Sequence, residues 1–247
     1  MIRGLYTACS GMMLQMTRQD TLANNLANAN TTGFKKDTVI SQDFPSLLIT
    51  RMGETMSKPQ KVGSLGTGTA VQQIVTDYSV GAYTATGNSF DLALGSDCFF
   101  SIETAEGICY SRNGAFSVDS EGRLVNANGQ PVLGAYGHIY VDGPFVVDEQ
   151  GNVLQDGEII NTLDIVRFSD KSMLVKIGDD LFAMGDQEAE IPVHPRVLQG
   201  HLESSNVNPV KEMVDLITVV RAYEVMQKVI QAEDQTLDKL INQAGSR

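Results

Sequence analysis

The sequence has no tryptophan, three cysteines and three histidines in 247 residues. Each scarcity excludes something. Cys9, Cys98 and Cys109 are odd in number and widely separated, with no C-x-x-C, so there is no disulfide framework and no paired-thiol motif. His138, His194 and His201 form no H-x-H or H-x-x-x-H pair, so a zinc site would have to be gathered from distant segments. No apolar run approaches the ~20 residues that a membrane span needs. Arg3 stands near the N-terminus, but Thr7, Ser10, Gly11 and Gln15 interrupt the apolar residues after it, so no cleaved secretory signal is expected. Charged residues are only 19 % and hydrophobic residues 42 %, which excludes a disordered chain and allows a substantial core.

Positive charge is also short. Lys and Arg number 18 against 30 Asp and Glu, a net charge of -12. Residues 1–36 carry Arg3, Arg18, Lys35 and Lys36 against Asp20, and residues 210–247 are nearly balanced, so the middle of the chain is the acidic part. An acidic surface repels phosphate backbones and anionic lipid, so neither nucleic acid nor a membrane is an expected partner. Catalytic motifs are absent too. Gly63 and Gly68 have P-loop spacing, but Thr69 stands where the phosphate-binding lysine belongs; Gly66-Thr67-Gly68 begins a dinucleotide pattern that Val71 breaks. Asp119 and Asp148 could open calcium loops but lack a Glu at the twelfth position. No serine lies in a G-x-S-x-G elbow. Cys98 lies between Asp97, which opposes thiolate formation, and Phe99, and reads as a buried structural thiol. No catalytic residue, cofactor site or metal site is expected.

What is present is a change of period along the chain. From about Arg3 to Asn28, the positions Leu5, Cys9, Met12, Met16, Gln19, Ala23 and Leu26 alternate steps of four and three, the spacing of a helical packing seam. Gly4, Ala8 and Gly11 form a second, small-residue face where another helix could approach closely. Gly33 is placed to end this segment in a left-handed conformation. At the other end, Asn208-Pro209 has helix-starting character, and no Gly or Pro follows from Val210 to Ala244. Met213, Leu216, Val220, Tyr223, Ile230, Leu237 and Ile241 lie on one stripe of that helix, which spans about 50 Å. Between the helices the period is two. Phe99–Ile102 and Leu163–Phe168 read as strands, and Glu121-Gly122, Asn128-Gly129, Gln150-Gly151 and Asp156-Gly157 read as turns. Phe116-x-Val118-Asp119-x-x-Gly122 recurs as Phe145-x-Val147-Asp148-x-x-Gly151, which predicts two similar hairpins. Residues 52–70 are glycine-rich and read as flexible.

Two amphipathic helices at opposite ends cannot both bury their seams inside a β body between them. Packing them on each other, and then on copies from other subunits, is the simplest solution. The residues then carry a resemblance. Ala23-Asn24-Asn25-Leu26-Ala27-Asn28-Ala29-Asn30-Thr31-Thr32-Gly33-Phe34-Lys35 resembles the signature of the flagellar rod and hook family. Thr86–Ala93, Gly95–Phe100, Tyr110–Phe116, Gln199–Val207 and Arg221–Glu224 are similar to its later motifs, with Cys98 where the family usually has Gly. A non-glycine there opposes a positive φ, so the local turn is expected to differ. Within the family, the length and residues 222–231 look closest to the proximal-rod type, with a distal-rod or hook-type axial subunit as the alternative.

The resemblance implies a structural, non-enzymatic subunit of the bacterial flagellar basal-body rod. It implies partners that are further copies of the chain and other axial proteins. It also implies export without a cleaved signal by the flagellar type III apparatus, and assembly into the tube that crosses the periplasm and transmits torque. The expected fold is α+β: paired, coiled-coil-like terminal helices flanking a β-rich centre. The expected division is 1–34 for the N-terminal axial helix and family motif, 35–70 for a linker, 71–205 for the β-rich outer domain and 206–247 for the C-terminal axial helix. Asn24, Asn25, Leu26, Asn28, Thr32, Gly33 and Phe34 are the motif positions. Leu5, Met12, Met16, Ala23 and Leu26, with the stripe from Met213 to Ile241, are the expected assembly seams. Two other classes compete: a wall-cleaving hydrolase, which needs a cleft with two convergent acids, and a monomeric β-rich binding module, which leaves both seams unexplained.

Overall fold

The computed structural model describes residues 2–51, 60–95, 97–178, 180–184 and 195–245. They form an α+β protein of two compact units, both discontinuous in sequence. One unit takes residues from 1–26, 37–75 and 209–247, the other from 27–36 and 76–208.

The first unit is built on two helices, α1 (Ile2–Ala27) and α2 (Pro209–Gly245). α1 is rich in Leu, Met, Ala and Gln, all good helix formers, and stops where Asn and Thr take over. The helices run antiparallel in one-for-one register. Gly4 faces Glu233, Gly11 faces Met226, and Asn25 Nδ2 donates to Glu212 Oε2 at 3.3 Å. Each step of seven or fourteen residues forward along α1 is matched by the same step backward along α2. The same unit holds β1 (Asp37–Asp43), β2 (Leu47–Arg51), β3 (Gln60–Leu65) and β4 (Thr69–Thr76), with β1 paired to β4 and β2 antiparallel to β3.

These strands replace the linker expected over 35–70; residues 52–59 lie outside the described residues. Of the glycines read as flexible, Gly68 serves close approach instead. A β-carbon on Gly68 would stand 2.5 Å from Ser10 Oγ and 3.1 Å from the Phe44 ring. Phe44 N donates to Gly68 O at 2.9 Å, and Thr67 Oγ1 to Pro45 O at 3.2 Å.

The second unit is β-rich. Its largest sheet is antiparallel, in the order 165–166, 99–104, 107–111, 181–183, 175–178. The expected strand over Leu163–Phe168 is reduced to Ile165–Val166, because Leu163 pairs elsewhere: its N donates to Gly151 O, and it bridges Gly134. Strand Phe99–Thr104 is buried on both faces. Phe100 enters a cluster with Leu92, Leu94, Cys98, Phe116, Leu124 and Ile139, while Phe99 enters an aromatic cluster with Tyr110, Phe168 and Phe182. Phe99 meets Phe168 and Phe182 edge to face at 5.6 and 5.7 Å, the geometry ring quadrupoles favour. Fully burying each of these side chains stabilises the unit by about 2–3 kcal/mol.

The internal repeat is two matching turns. Asp119 Oδ1 accepts from Glu121 N and Arg123 N, and Asp148 Oδ1 accepts from Gln150 N and Asn152 N, all at 2.9 Å. A third copy sits at Asn126, whose Oδ1 accepts from Asn128 N and Gln130 N. Gly122, Gly129 and Gly151 close the three turns at positive φ. Cys98 avoids positive φ, as expected of a non-glycine there, and is buried in the core.

Candidate assembly surface and helix junction

The helix faces divide differently from the expected seams. The small face meets α2 within the chain. A β-carbon on Gly4 would lie 2.8 Å from Glu233 Oε1, one on Gly11 would lie 2.7 Å from Met226 Sδ, and Ala8 and Leu14 are buried. Of the expected α1 seam, Leu5, Met12 and Leu26 are half-buried, whereas Cys9, Met16, Gln19 and Ala23 are exposed. On α2, Leu216, Val220, Tyr223, Ile230 and Leu237 are half-buried, and Met213 and Ile241 are exposed. The line that is buried in α2 runs through Glu212 and Val219, which lie off the apolar stripe. The difference has a simple cause. Close helix packing selects small residues on one side, and these carry little hydrophobicity, so an apolar count points to a neighbouring face.

Each helix keeps a second apolar stripe in solvent. On α1 it is Tyr6, Met13 and Met16, at 70, 67 and 59 % exposure. On α2 it includes Val210, Val214, Ile217, Val225 and Val229. An open groove of about 590 Å³ adjoins the α1 stripe, between Tyr6, Thr7, Leu47, Leu65, Met226 and Val229, and Arg3 is its one charged lining residue among the described residues.

The motif residues are divided between the two units. Asn25 is 2 % exposed and uses its whole amide: Oδ1 accepts from Asp37 N, and Nδ2 donates to Asp37 O, both at 2.9 Å. It thereby acts as a substitute strand for the start of β1, which Asp or Leu could not do. Asn24 is exposed, Leu26 half-buried, and Asn28 Oδ1 accepts from Thr31 Oγ1. In the β unit, Thr32 Oγ1 donates to Asn113 Oδ1 at 2.6 Å, and Phe34 lies under the Lys176 ammonium, 4.3 Å from the ring centre. Gly33 does have a positive φ of 70°. It lies six residues beyond the end of α1, however, so it does not stop the helix. Its task is close approach: a β-carbon would lie 2.5 Å from the backbone of Arg112 and Asn113.

Beside it is a buried ionic group that sequence reasoning passed over, although its members stood within the quoted motifs. Glu203 Oε1 pairs with Lys35 Nζ at 2.5 Å, and Oε2 with Arg112 at 3.1 Å; all three side chains are almost fully buried. Lys35 Nζ also donates to Ser79 O at 2.8 Å. Burial drags the Lys35 amine below its ordinary value, against the pull of Glu203. Arg112 lies over the Phe99 ring and reaches Asp97, which Lys171 also holds at 2.6 Å. Burial raises the Asp97 carboxyl, but Lys171 and Arg112 outweigh it and leave the group below its ordinary value.

The other candidate groups are occupied locally. His138 Nε2 contacts Glu103, and His201 Nδ1 contacts Gln199 O; His194 lies outside the described residues. Cys9 is exposed, and Cys109, like Cys98, is buried. Among the described residues no three His, Cys, Asp or Glu side chains gather as a metal site, and no helix is long and apolar enough to cross a membrane.

The chain thus has terminal helices paired antiparallel, with a motif that runs from the first of them into the β unit. Three family profiles match in order: a flagella basal body rod protein profile over residues 5–35, a flagellar hook protein FlgE/F/G D1 domain over 93–180, and a flagellar basal body rod FlgEFG C-terminal domain over 198–243. Relatives match over nearly the whole length. The flagellar hook-basal body complex protein FlhO of Bacillus subtilis is 32 % identical, covering 99 % of both chains. The basal-body rod protein FlgG of the same organism is 33 % identical, over 98 % of this chain and 99 % of the relative. The basal-body rod protein FlgF of Caulobacter vibrioides is 36 % identical, over 93 % of each. The chain belongs to the flagellar basal-body rod protein family.

Proposed function

We infer that the chain is a structural, self-assembling subunit of the bacterial flagellar basal-body rod. Its relatives carry structural and not enzymatic names. The helix pair is the assembly element: one face of each helix closes the pair, coiled-coil fashion, and the other meets neighbouring subunits or other rod proteins. The exposed stripe of Tyr6, Met13 and Met16 carries this reading, because large apolar side chains aligned on one helix face lack cover within the described residues. Export by the flagellar type III apparatus, a place in the tube crossing the periplasm, and transmission of torque belong to the same reading. Residues 222–231 favour the proximal-rod position.

The test is Met16→Asp beside Lys239→Ala. Both positions are exposed in the chain, so both variants fold. Burying an unpaired carboxylate in an interface costs several kcal/mol, which lowers an association constant by orders of magnitude. Met16→Asp should be made and exported but stay out of rods, leaving cells without filaments, whereas Lys239→Ala should swim normally. Equal incorporation of the two would remove α1 from the assembly surface.

A further inference from the structure

Residues 30–36 and 199–207 lie side by side in the β unit, and they are the stretches that continue into α1 and α2. Gly33 N donates to Glu203 O at 2.8 Å, Asn206 N to Phe34 O at 3.4 Å, and Lys36 N to Asn206 Oδ1 at 2.9 Å. Residues 201–203 also pair antiparallel with 83–85, and further ties converge on one carboxylate. Glu203 Oε1 takes Lys35 Nζ and the Gly81 amide, and Oε2 takes Arg112, partners 168, 122 and 91 residues away in sequence. One buried anion therefore holds two buried cations and a backbone N–H.

We propose that Glu203 is the latch of a two-segment clasp, so that residues 30–36 and 199–207 open and close together, ahead of the rest of the β unit. Three observations carry this. Neither segment contributes a residue to the apolar clusters around Phe100 and Phe99; beside the buried Phe34 and Val207, hydrogen bonds and ion pairs hold both. Those ties are of the kind whose desolvation cost offsets most of their attraction, so the clasp holds its segments in place but adds little net stability. The charge count is also lopsided. Without Glu203, Lys35 and Arg112 are two buried cations with the half-exposed Asp97 as the nearest anion; without Lys35, Glu203 and Arg112 remain a balanced pair. Arg112 Nε is buried without a hydrogen-bond partner among the described residues, a cost the closed state carries. Opening would release the roots of both helices at once while leaving the core intact, a sub-global step of the kind native proteins undergo. The clasp does not depend on the rod reading.

Hydrogen exchange followed by mass spectrometry on the full-length chain tests it. In the unaltered protein, peptides spanning 30–36 and 199–207 should exchange at matched rates, faster than peptides spanning 124–166. Glu203→Gln should cut protection in both clasp peptides together by about 10²- to 10³-fold, the size expected when a buried pair loses one partner. Lys35→Met, which keeps the charges balanced, should change both by less than ~10-fold. The clasp is overturned if the two peptides respond independently, if Lys35→Met matches Glu203→Gln, or if the clasp peptides of the unaltered protein exchange no faster than 124–166. If Glu203→Gln does not fold, the unaltered protein and Lys35→Met still decide the matter.

Discussion

Gly33 and Gly11 are both packed closer than a β-carbon allows, and replacing each by alanine should have opposite results. At Gly33 the φ of 70° alone costs an alanine about 1–2 kcal/mol. The added carbon would also fall 2.5–2.6 Å from the Arg112 carbonyl and the Asn113 nitrogen, backbone atoms that no rotamer change can move aside. Overpacking of that kind costs about 1–3 kcal/mol more. The Gly33 amide bond to Glu203 O would be strained as the chain shifts. The total is roughly 2–5 kcal/mol, or a fall in melting temperature of about 5–20 °C for a unit of this size. At Gly11 the nearest atoms are Met226 Sδ and Cε at 2.7 and 2.9 Å, the far end of a flexible side chain, and the position is helical. Alanine gains about 1 kcal/mol of helix propensity there, which offsets the displacement of Met226. Scanning calorimetry should be read beside circular dichroism and tyrosine fluorescence, because two units need not melt as one. Gly33→Ala should lower the transition seen by tyrosine fluorescence, and Gly11→Ala should leave every transition within a few degrees. A Gly33→Ala protein melting within ~2 °C of the parent would refute the reasoning, as would Gly11→Ala being the more damaging change.

Other outcomes rest on the same kinds of contact. Asn25→Asp removes the amide donor to Asp37 O and to Glu212, and places a carboxylate against Glu212; unpaired buried groups of this kind cost about 1–3 kcal/mol each, so the helix transition should fall well below that of the parent in urea titrations followed by circular dichroism. Asp148 is pushed up by burial, but the Asn152 side chain and the amides of Asn152, Gln150 and Gly151 bring it below its ordinary value of 3.8. Its stabilising contribution is therefore complete above that value and is lost as pH falls through the lower folded-state value. Asp148→Asn should keep the Oδ1 acceptor, as Asn126 does in the third turn, and should flatten the acid limb of a stability-versus-pH curve. Asp148→Ala should lose about 1 kcal/mol or more at neutral pH; equal losses for Asn and Ala would show that the acceptor is not what holds the turn.

The parts of the fold legible in the sequence are those written in local patterns. Uninterrupted helix formers after Pro209, the alternation at Phe99, and Asp with Gly three residues on at 119 and 148 each specify structure over a few residues. The rest depends on distant partners. Nothing near Lys35 announces that its amine is buried, because the carboxylate that allows it is residue 203. Residues 60–70 read as flexible because their glycines resemble linker composition, while Ser10 and Phe44, which Gly68 approaches, lie elsewhere in the chain. The helix faces are displaced for a related reason: Gly4, Ala8 and Gly11 are what α2 meets, and they carry too little hydrophobicity to stand out in an apolar count. Val220 is accordingly half-buried beside Val219, so a charge there would disturb the pair itself as well as any outer contact, which makes Met16 the cleaner position.

The one-for-one register of α1 against α2 also constrains how the length of these two helices can vary. The matched positions are spaced by seven and fourteen residues, close to two and four helical turns, so each pairing recurs on the same face. Inserting or deleting one residue within either helix turns everything beyond it by about 100°, carrying Gly11 off Met226 and Asn25 off Glu212 together. A change of seven moves the partners along the axis but keeps them on the same faces. Length in these helices is thus quantised: the pair tolerates whole heptads, or compensating changes in both helices, and rejects the intermediate sizes that surface loops of the same chain can absorb.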